Sequence, residues 1–328
     1  MRGWQIAGGL VAGCAALFGA ALLGMRAQAS AEGASNALVL AERASQAQLK
    51  AALVARPSTQ AGAAASPSVT AAAPTPVVAA PAPSPPVSFR QTTTYNGATV
   101  YVPQTCQGAY DVLMHFHGAQ PYVKDEVQAA NIDAVVAVFN AGNGAEKYAQ
   151  AFQANGTLSS LLHQIELAAA PLCGSEAKPR RVALVGFSAG FAAVEKMLAR
   201  EEDRARVDAA LLVDGLHAGF IDVRRRQMAP NALQAFRDFG ELAKQGKKLL
   251  AITHSSIMTD GYASTTECSR FLLEALGVRS EDALVSGKSG SFSVEGFTGD
   301  DKAAHIAQFR QMDTTLLPKL RERWAKPQ

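Results

Sequence analysis

The sequence predicts an α/β fold: a mostly parallel sheet flanked by helices, opened by an N-terminal β-hairpin and lacking room for a large lid. Three observations predict it. Short apolar runs alternate with longer helical stretches from residue 109 onward. An Asn96-Gly97 pair separates two strand-like segments just before them. The pentapeptide Gly186-Phe187-Ser188-Ala189-Gly190 falls where one apolar run gives way to a helix.

In chain order, Ser88–Tyr95 and Ala98–Val102 read as a hairpin, with Asn96-Gly97 suited to a two-residue primed turn. Next come the apolar runs Asp111–His115, Ala134–Asn140, Val182–Gly186, Ala209–Asp214 and Leu249–Thr253, and a weaker one, Ser291–Val294. Between and after them, Leu158–Ala169, Ala189–Arg200, Asn231–Gln245, Thr265–Leu276 and Ala303–Arg323 read as helices. Residues 141–156 read as a glycine-punctuated loop in which Tyr148 and Phe152 are candidates to touch a substrate, as is Tyr262 farther on.

Upstream of residue 88 the composition is different. Trp4 to Met25 is uncharged and bounded by Arg2 and Arg26, long enough to span a bilayer. Ala27-Gln28-Ala29 behind it is a small-x-small cleavage pattern, so residues 1–29 read as a signal peptide or a membrane anchor. A lipobox-like Val11-Ala12-Gly13-Cys14 sits too early in the apolar run to match a lipoprotein signal well. Residues 30–87 read as a helix over Ala37–Ala55, then a linker: 57–87 hold eight of the 15 prolines and no charge, which gives a semi-extended tether. All these readings expect an exported chain: periplasmic, membrane-anchored through 4–25, or secreted.

Charge follows the same division. Of 31 basic and 28 acidic residues, five and two fall within 1–87, leaving 26 of each in 88–328. The folded part is therefore neutral, and a nucleic-acid partner, which needs clustered cations, is not expected. The run Arg224-Arg225-Arg226 is short enough to be a solvated face. Gly287-Lys288-Ser289 looks like the end of a phosphate loop, but the glycine such a loop needs upstream is Asp282.

The GxSxG pattern has a physical reading. A sharp strand-to-helix turn forces the serine into a strained backbone with its hydroxyl exposed, and side chains two positions away on either side would collide. The helix start also supplies free N–H groups. With a strand before it and a helix after it, Ser188 is the candidate nucleophile.

On these residues, 88–328 resembles the α/β-hydrolase family. The resemblance implies a nucleophile–acid–histidine order along the chain. It implies His305, after the last strand and before the final helix, as the base, ahead of His217 and His254. For the acid it implies Asp214, at the end of the strand after the nucleophile strand, with Asp260 the alternative one strand later. Asp300 and Asp301 lie too near His305. Phe116-His117-Gly118-Ala119 matches the loop that gives an oxyanion hole its second N–H, so the donors would be the backbones of Ala189 and Ala119. The family's strand order makes the strands after Cys106 and Cys173 neighbours, which implies a Cys106–Cys173 disulfide with Cys268 unpaired.

The implied activity is serine hydrolysis of a small-molecule or polymer ester, with no cofactor. Three readings stay open beside it: a non-catalytic binding domain of the cell envelope, a peptidase or amidase on the same triad, and a metal site built from His115, His117, Asp214 and His254. Outside a metal site, His115 and His117 would support their loop by hydrogen bonds, and His163 would be structural.

Overall fold

Among the residues that the computed structural model describes, 86–326, nine strands form one sheet and three more form a small second sheet. The strands are β1 Phe89–Thr93, β2 Thr99–Pro103, β3 Ala109–Phe116, β4 Val135–Phe139, β5 Lys178–Phe187, β6 Ala209–Val213, β7 Ala218–Asp222, β8 Gln227–Met228, β9 Leu249–His254, β10 Tyr262–Ala263, β11 Gly287–Ser289 and β12 Phe292–Gly296. The helices are α1 Gln120–Ala129, α2 Ala145–Phe152, α3 Thr157–Cys173, α4 Phe191–Leu198, α5 Glu201–Arg206, α6 Gln234–Lys244, α7 Thr265–Ala275, α8 Lys302–Phe309 and α9 Leu317–Ala325.

The large sheet runs β1-β2-β4-β3-β5-β6-β9-β12-β11. From β4 through β12 every neighbour is parallel; β2 runs against β1 and β4, and β11 against β12. This is the α/β-hydrolase fold. The parallel strands are buried on both faces, which is why they read as unbroken apolar runs. In β3, Val112, Met114 and Phe116 join one core with α2, α3, α4, α6 and α7, while Leu113 joins a second core with α1, α8 and α9. One face of each helix closes each core.

Three local readings are corrected. The hairpin turn is a three-residue loop, not a two-residue one. Thr94 N–H donates to Ala98 O, Gly97 N–H donates to Thr94 O, and Gly97 takes the left-handed φ of 81° that ends such loops. The helix expected over 303–323 is broken into α8 and α9 by turns at 310–316, with Pro318 in the first turn of α9. Residues 141–156 are not a continuous loop, because α2 lies within them and buries Tyr148 completely and Phe152 nearly so. The tyrosine and phenylalanine of that segment are core residues, since their i and i+4 spacing puts both on the inward face.

Cys106 and Cys173 form a disulfide, Cα atoms 4.9 Å apart, at the ends leading into β3 and β5. Closing 67 residues of chain restricts the unfolded state by about 4 kcal/mol. Cys268 is unpaired and buried in α7, where burial pushes its thiol up to about 12. No described helix is long and apolar enough to cross a membrane. The apolar run at 4–25, the cleavage pattern at 27–29, the helix expected at 37–55 and nearly all of the linker lie outside the described residues.

Candidate active site

Four strands of the large sheet end at one place, and each delivers a part of the site. β5 ends in the elbow. Ser188 has φ 48°, a conformation that costs a non-glycine residue about 1–3 kcal/mol, and a single 3₁₀ turn, Ser188–Gly190, leads into α4. The backbone tolerates no bulk here. A Cβ on Gly190 would sit 2.0 Å from the carbonyl oxygen of Phe116. A Cβ on Gly215, a glycine outside the pentapeptide, would sit 2.5 Å from the carbonyl oxygen of Ser188 itself. The elbow is thus clamped between the ends of β3 and β6. Ser188 Oγ makes no hydrogen bond among the described residues, which is common in catalytic sites without substrate.

β6 delivers Asp214, also left-handed at φ 41° and buried. Its carboxylate is held from two sides. Ser255, just beyond β9, donates its backbone N–H to Oδ1 at 2.9 Å and its hydroxyl to Oδ2 at 2.7 Å. His305 Nδ1 lies 2.7 Å from the same Oδ2. Burial pushes the Asp214 carboxyl up, but the bonds from His305 and Ser255 outweigh it, and the group rests below the ordinary aspartate range. A carboxylate can only accept, so Nδ1 must carry the proton. The neutral ring then keeps its lone pair on Nε2.

His305 lies in the first turn and a half of α8, whose start is fixed by Asp301. That side chain accepts from Ala304 N–H at 2.8 Å, and the Asp301 carbonyl accepts from His305 N–H. The imidazole stacks on Phe187 with ring centres 4.7 Å apart and planes tilted 27°. Phe187 also stacks on His117 at 5.8 Å, so the residue before the nucleophile orients two histidine rings.

β3 delivers the remaining loop. His117 is left-handed (φ 68°) and its Nδ1 is hydrogen-bonded to the Tyr148 hydroxyl at 3.0 Å. Gly118 is locked to Asn140, donating N–H to Oδ1 and accepting from Nδ2, both at 2.9 Å. The N–H of the next residue, Ala119, has no partner among the described residues. Ala189 lies in the turn that opens α4, where helix-start amides lack an intrahelical acceptor.

Ser188, Asp214, His217, Ser255, Tyr262 and His305 line one open cavity of about 320 Å³. The structure therefore brings together Ser188, Asp214 and His305. It leaves Asp260, the alternative acid, exposed and unbonded to His305. His217 is a wall residue whose Nδ1 meets Ala263 O at 3.2 Å. His163 is exposed on α3. His254 is buried behind the site, with Nδ1 near Ser255 O and the Thr266 hydroxyl.

One support role is corrected. His115 makes no hydrogen bond with either ring nitrogen among the described residues; it packs edge-on to Phe309, and burial holds its pKa down at about 3. His117 points instead at Tyr148 and Phe187, so the two rings do not converge. Among the described residues, no group of three or more His, Cys, Asp or Glu side chains is placed to hold a metal ion.

Sequence reasoning missed Ser255, Phe187 and the Asn140 clamp. Phe187 lies inside the pentapeptide Gly186–Gly190, and its place beside the serine was the available signal. Ser255 and Asn140 gave none, because their partners are 41 and 22 residues away.

No protein-family model matches the chain, and no curated protein matches it. Among solved structures it is similar to an esterase from Pyrococcus furiosus (11% identity, TM-score 0.36, covering 73% of this chain and 88% of that one). It is also similar to an esterase from Pyrobaculum calidifontis (12%, TM-score 0.39, 72% and 86%) and to a thermostable esterase from Pseudomonas putida (14%, TM-score 0.37, 73% and 81%). The fold assignment rests on the strand order and the elbow.

Proposed function

We propose that this chain is a serine hydrolase acting on carboxylic esters. The observation that carries the reading is a strained, unpaired Ser188 opening into the same cavity as a His305 already paired with a buried Asp214.

Ser188 Oγ attacks the ester carbonyl carbon while His305 Nε2 takes its proton. The C–O bond to the alcohol then breaks, and the alcohol leaves with that proton. Water attacks the acyl-serine by the reverse relay, releasing the acid and restoring Ser188. Asp214 holds the imidazole tautomer and stabilises the imidazolium, and Ser255 keeps Asp214 oriented. The backbone N–H groups of Ala189 and Ala119 hold the oxyanion, each worth about 10²–10³ in turnover. These steps call on no cofactor. The disulfide and the apolar N-terminal run support an exported protein, since a structural disulfide persists in oxidising compartments.

Ser188→Ala is expected to abolish both ester turnover and labelling by a fluorophosphonate, with the melting temperature nearly unchanged. Labelling that persists in this variant would overturn the mechanism. Comparing esters with matched amides separates the esterase reading from a peptidase or amidase. A wild-type chain that folds yet neither labels nor turns over would instead be a binding domain.

A further inference from the structure

The small sheet carries a surface that the triad does not use. β10 pairs with β7 so that Tyr262 lies opposite Gly219, and paired residues of antiparallel strands share a face. Side chains alternate along a strand, so Gly219 and Ile221 follow one another on that face; a bulge between Phe220 and Asp222 ends the alternation, and Val223 lies in the turn beyond. The burial of β7 agrees: Ile221 is exposed, while Phe220 turns inward, with the Arg226 guanidinium over its ring at 4.9 Å. His217 and Tyr262 meet edge to face, 5.1 Å between ring centres, and both line the cavity of Ser188. The face therefore begins inside the cavity and runs out of it, with roughly 7 Å from Gly219 to Ile221 at about 3.3 Å per residue.

This face is also apolar. Among the described residues the large hydrophobic side chains left exposed are Tyr95, Leu167, Ile221, Val223, Met258 and Tyr262. Ile221 and Tyr262 belong to this face, Val223 follows in the turn after β7, and Met258 lies near the Tyr262 end, its sulfur 3.8 Å from the hydroxyl of Ser264. Single exposed apolar residues are ordinary, whereas a contiguous set at the mouth of a cavity marks a binding surface.

We propose that this face is an extension of the substrate site and takes the apolar chain of an ester whose carbonyl lies at Ser188. The proposal rests on the hydrolase reading above. Continuity through His217 and Tyr262 argues for substrate as the occupant: a chain leaving the carbonyl on that side meets Tyr262, and Ile221 lies two residues beyond Gly219, the strand partner of Tyr262. The enzyme would thus favour esters with long apolar groups despite lacking a large lid.

The test uses the full chain and two fluorophosphonates, one ethyl and one decyl, with the rate of Ser188 labelling as readout. Wild type is expected to label at least about tenfold faster with the decyl probe, since each methylene removed from water is worth up to a factor of about four. The double variant I221S/V223S should lower that decyl-to-ethyl ratio about tenfold, and Ile221→Ser alone by a smaller factor. Leu167→Ser, an exposed apolar position on α3, should leave the ratio unchanged. A wild-type ratio near one, or a ratio that survives the double substitution, overturns the proposal while leaving the hydrolase reading intact. Failure of both probes to label Ser188 overturns the two together. A ratio near one, with wild type but not the double variant sedimenting with anionic vesicles, overturns it in favour of a lipid surface, which Arg224 and Arg225 at the hairpin tip would then serve.

Discussion

At the amino ends of the central strands nearly every charge has a partner, whereas at the carboxyl ends the chain tolerates strain and leaves polar groups unpaired. Near the start of β3, Asp111 is bound by both Arg180 and Arg181, and the buried Arg181 donates from its third nitrogen, Nη1, to the carbonyl of Trp324. Asp208, just before β6, accepts from Arg323 twice and from the indole of Trp324. At the other end of the same strands, His117, Ser188 and Asp214 all have positive φ, and the buried nitrogens of His115 and Nε2 of His254 lack partners. At the amino ends the charges are paired, although the buried Tyr110 hydroxyl near the start of β3 has no partner among the described residues, while the strained catalytic residues gather at the other end. Strain and unmet polar groups gather where a surrounding fold can hold them against relaxation.

Substitutions at the two ends should separate these roles. The largest effect is expected from Asp214→Asn, which keeps the shape but no longer fixes the His305 tautomer. Turnover should fall about 10⁴-fold with little change in melting temperature. Equal activity in steady-state assays would place the acid elsewhere. At the opposite end, Asp111→Ala should leave turnover by the folded protein intact and lower stability by about 3–5 kcal/mol, because it strands the buried Arg181 without its carboxylate. Urea unfolding measures this, and a loss under 1 kcal/mol would show that the ion pair is dispensable.

A smaller effect sharpens the contrast within the catalytic end. His115 is held neutral down to about pH 3 in the fold, while in the unfolded chain it takes a proton near pH 6.5. Between those values the unfolded state binds more protons, so stability is lost as pH falls from about 6.5 towards 3. His115→Leu should remove about 3 kcal/mol of the loss between pH 7 and pH 4. Melting curves across that range that run parallel to wild type would contradict it.

The separation also explains what the sequence could and could not reveal. The elbow was legible because its determinants are local: two small residues and a strand–helix boundary within five positions. Asp214, His305 and the Cys106–Cys173 pair were legible only through the family resemblance, which supplied the strand order that brings them together. The support around the site was not. Ser255 reaches Asp214 and Asn140 reaches Gly118 across β9–β6 and β4–β3, and neither contact leaves a pattern in either segment. The small sheet was missed for a different reason. β8 and β10 are two residues each, too short to show any alternation. Tyr148 and Phe152 were misplaced because glycines at 142, 144 and 156 bracket a helix of only eight residues, and the punctuation masked its period.

The disulfide has a consequence for how the domain responds to proteases. Cys106 and Cys173 lie on either side of β3, α1, β4, α2 and the whole glycine-rich stretch from Ala141 to Gly144, whose residues are mostly exposed. A protease that cuts the backbone there severs the polypeptide but does not free either piece. The oxyanion loop stays tethered through sulfur to the segment that leads into the nucleophile strand. A nicked molecule of this kind would migrate as one species until reduced, and its two fragments would remain close enough to re-form the site.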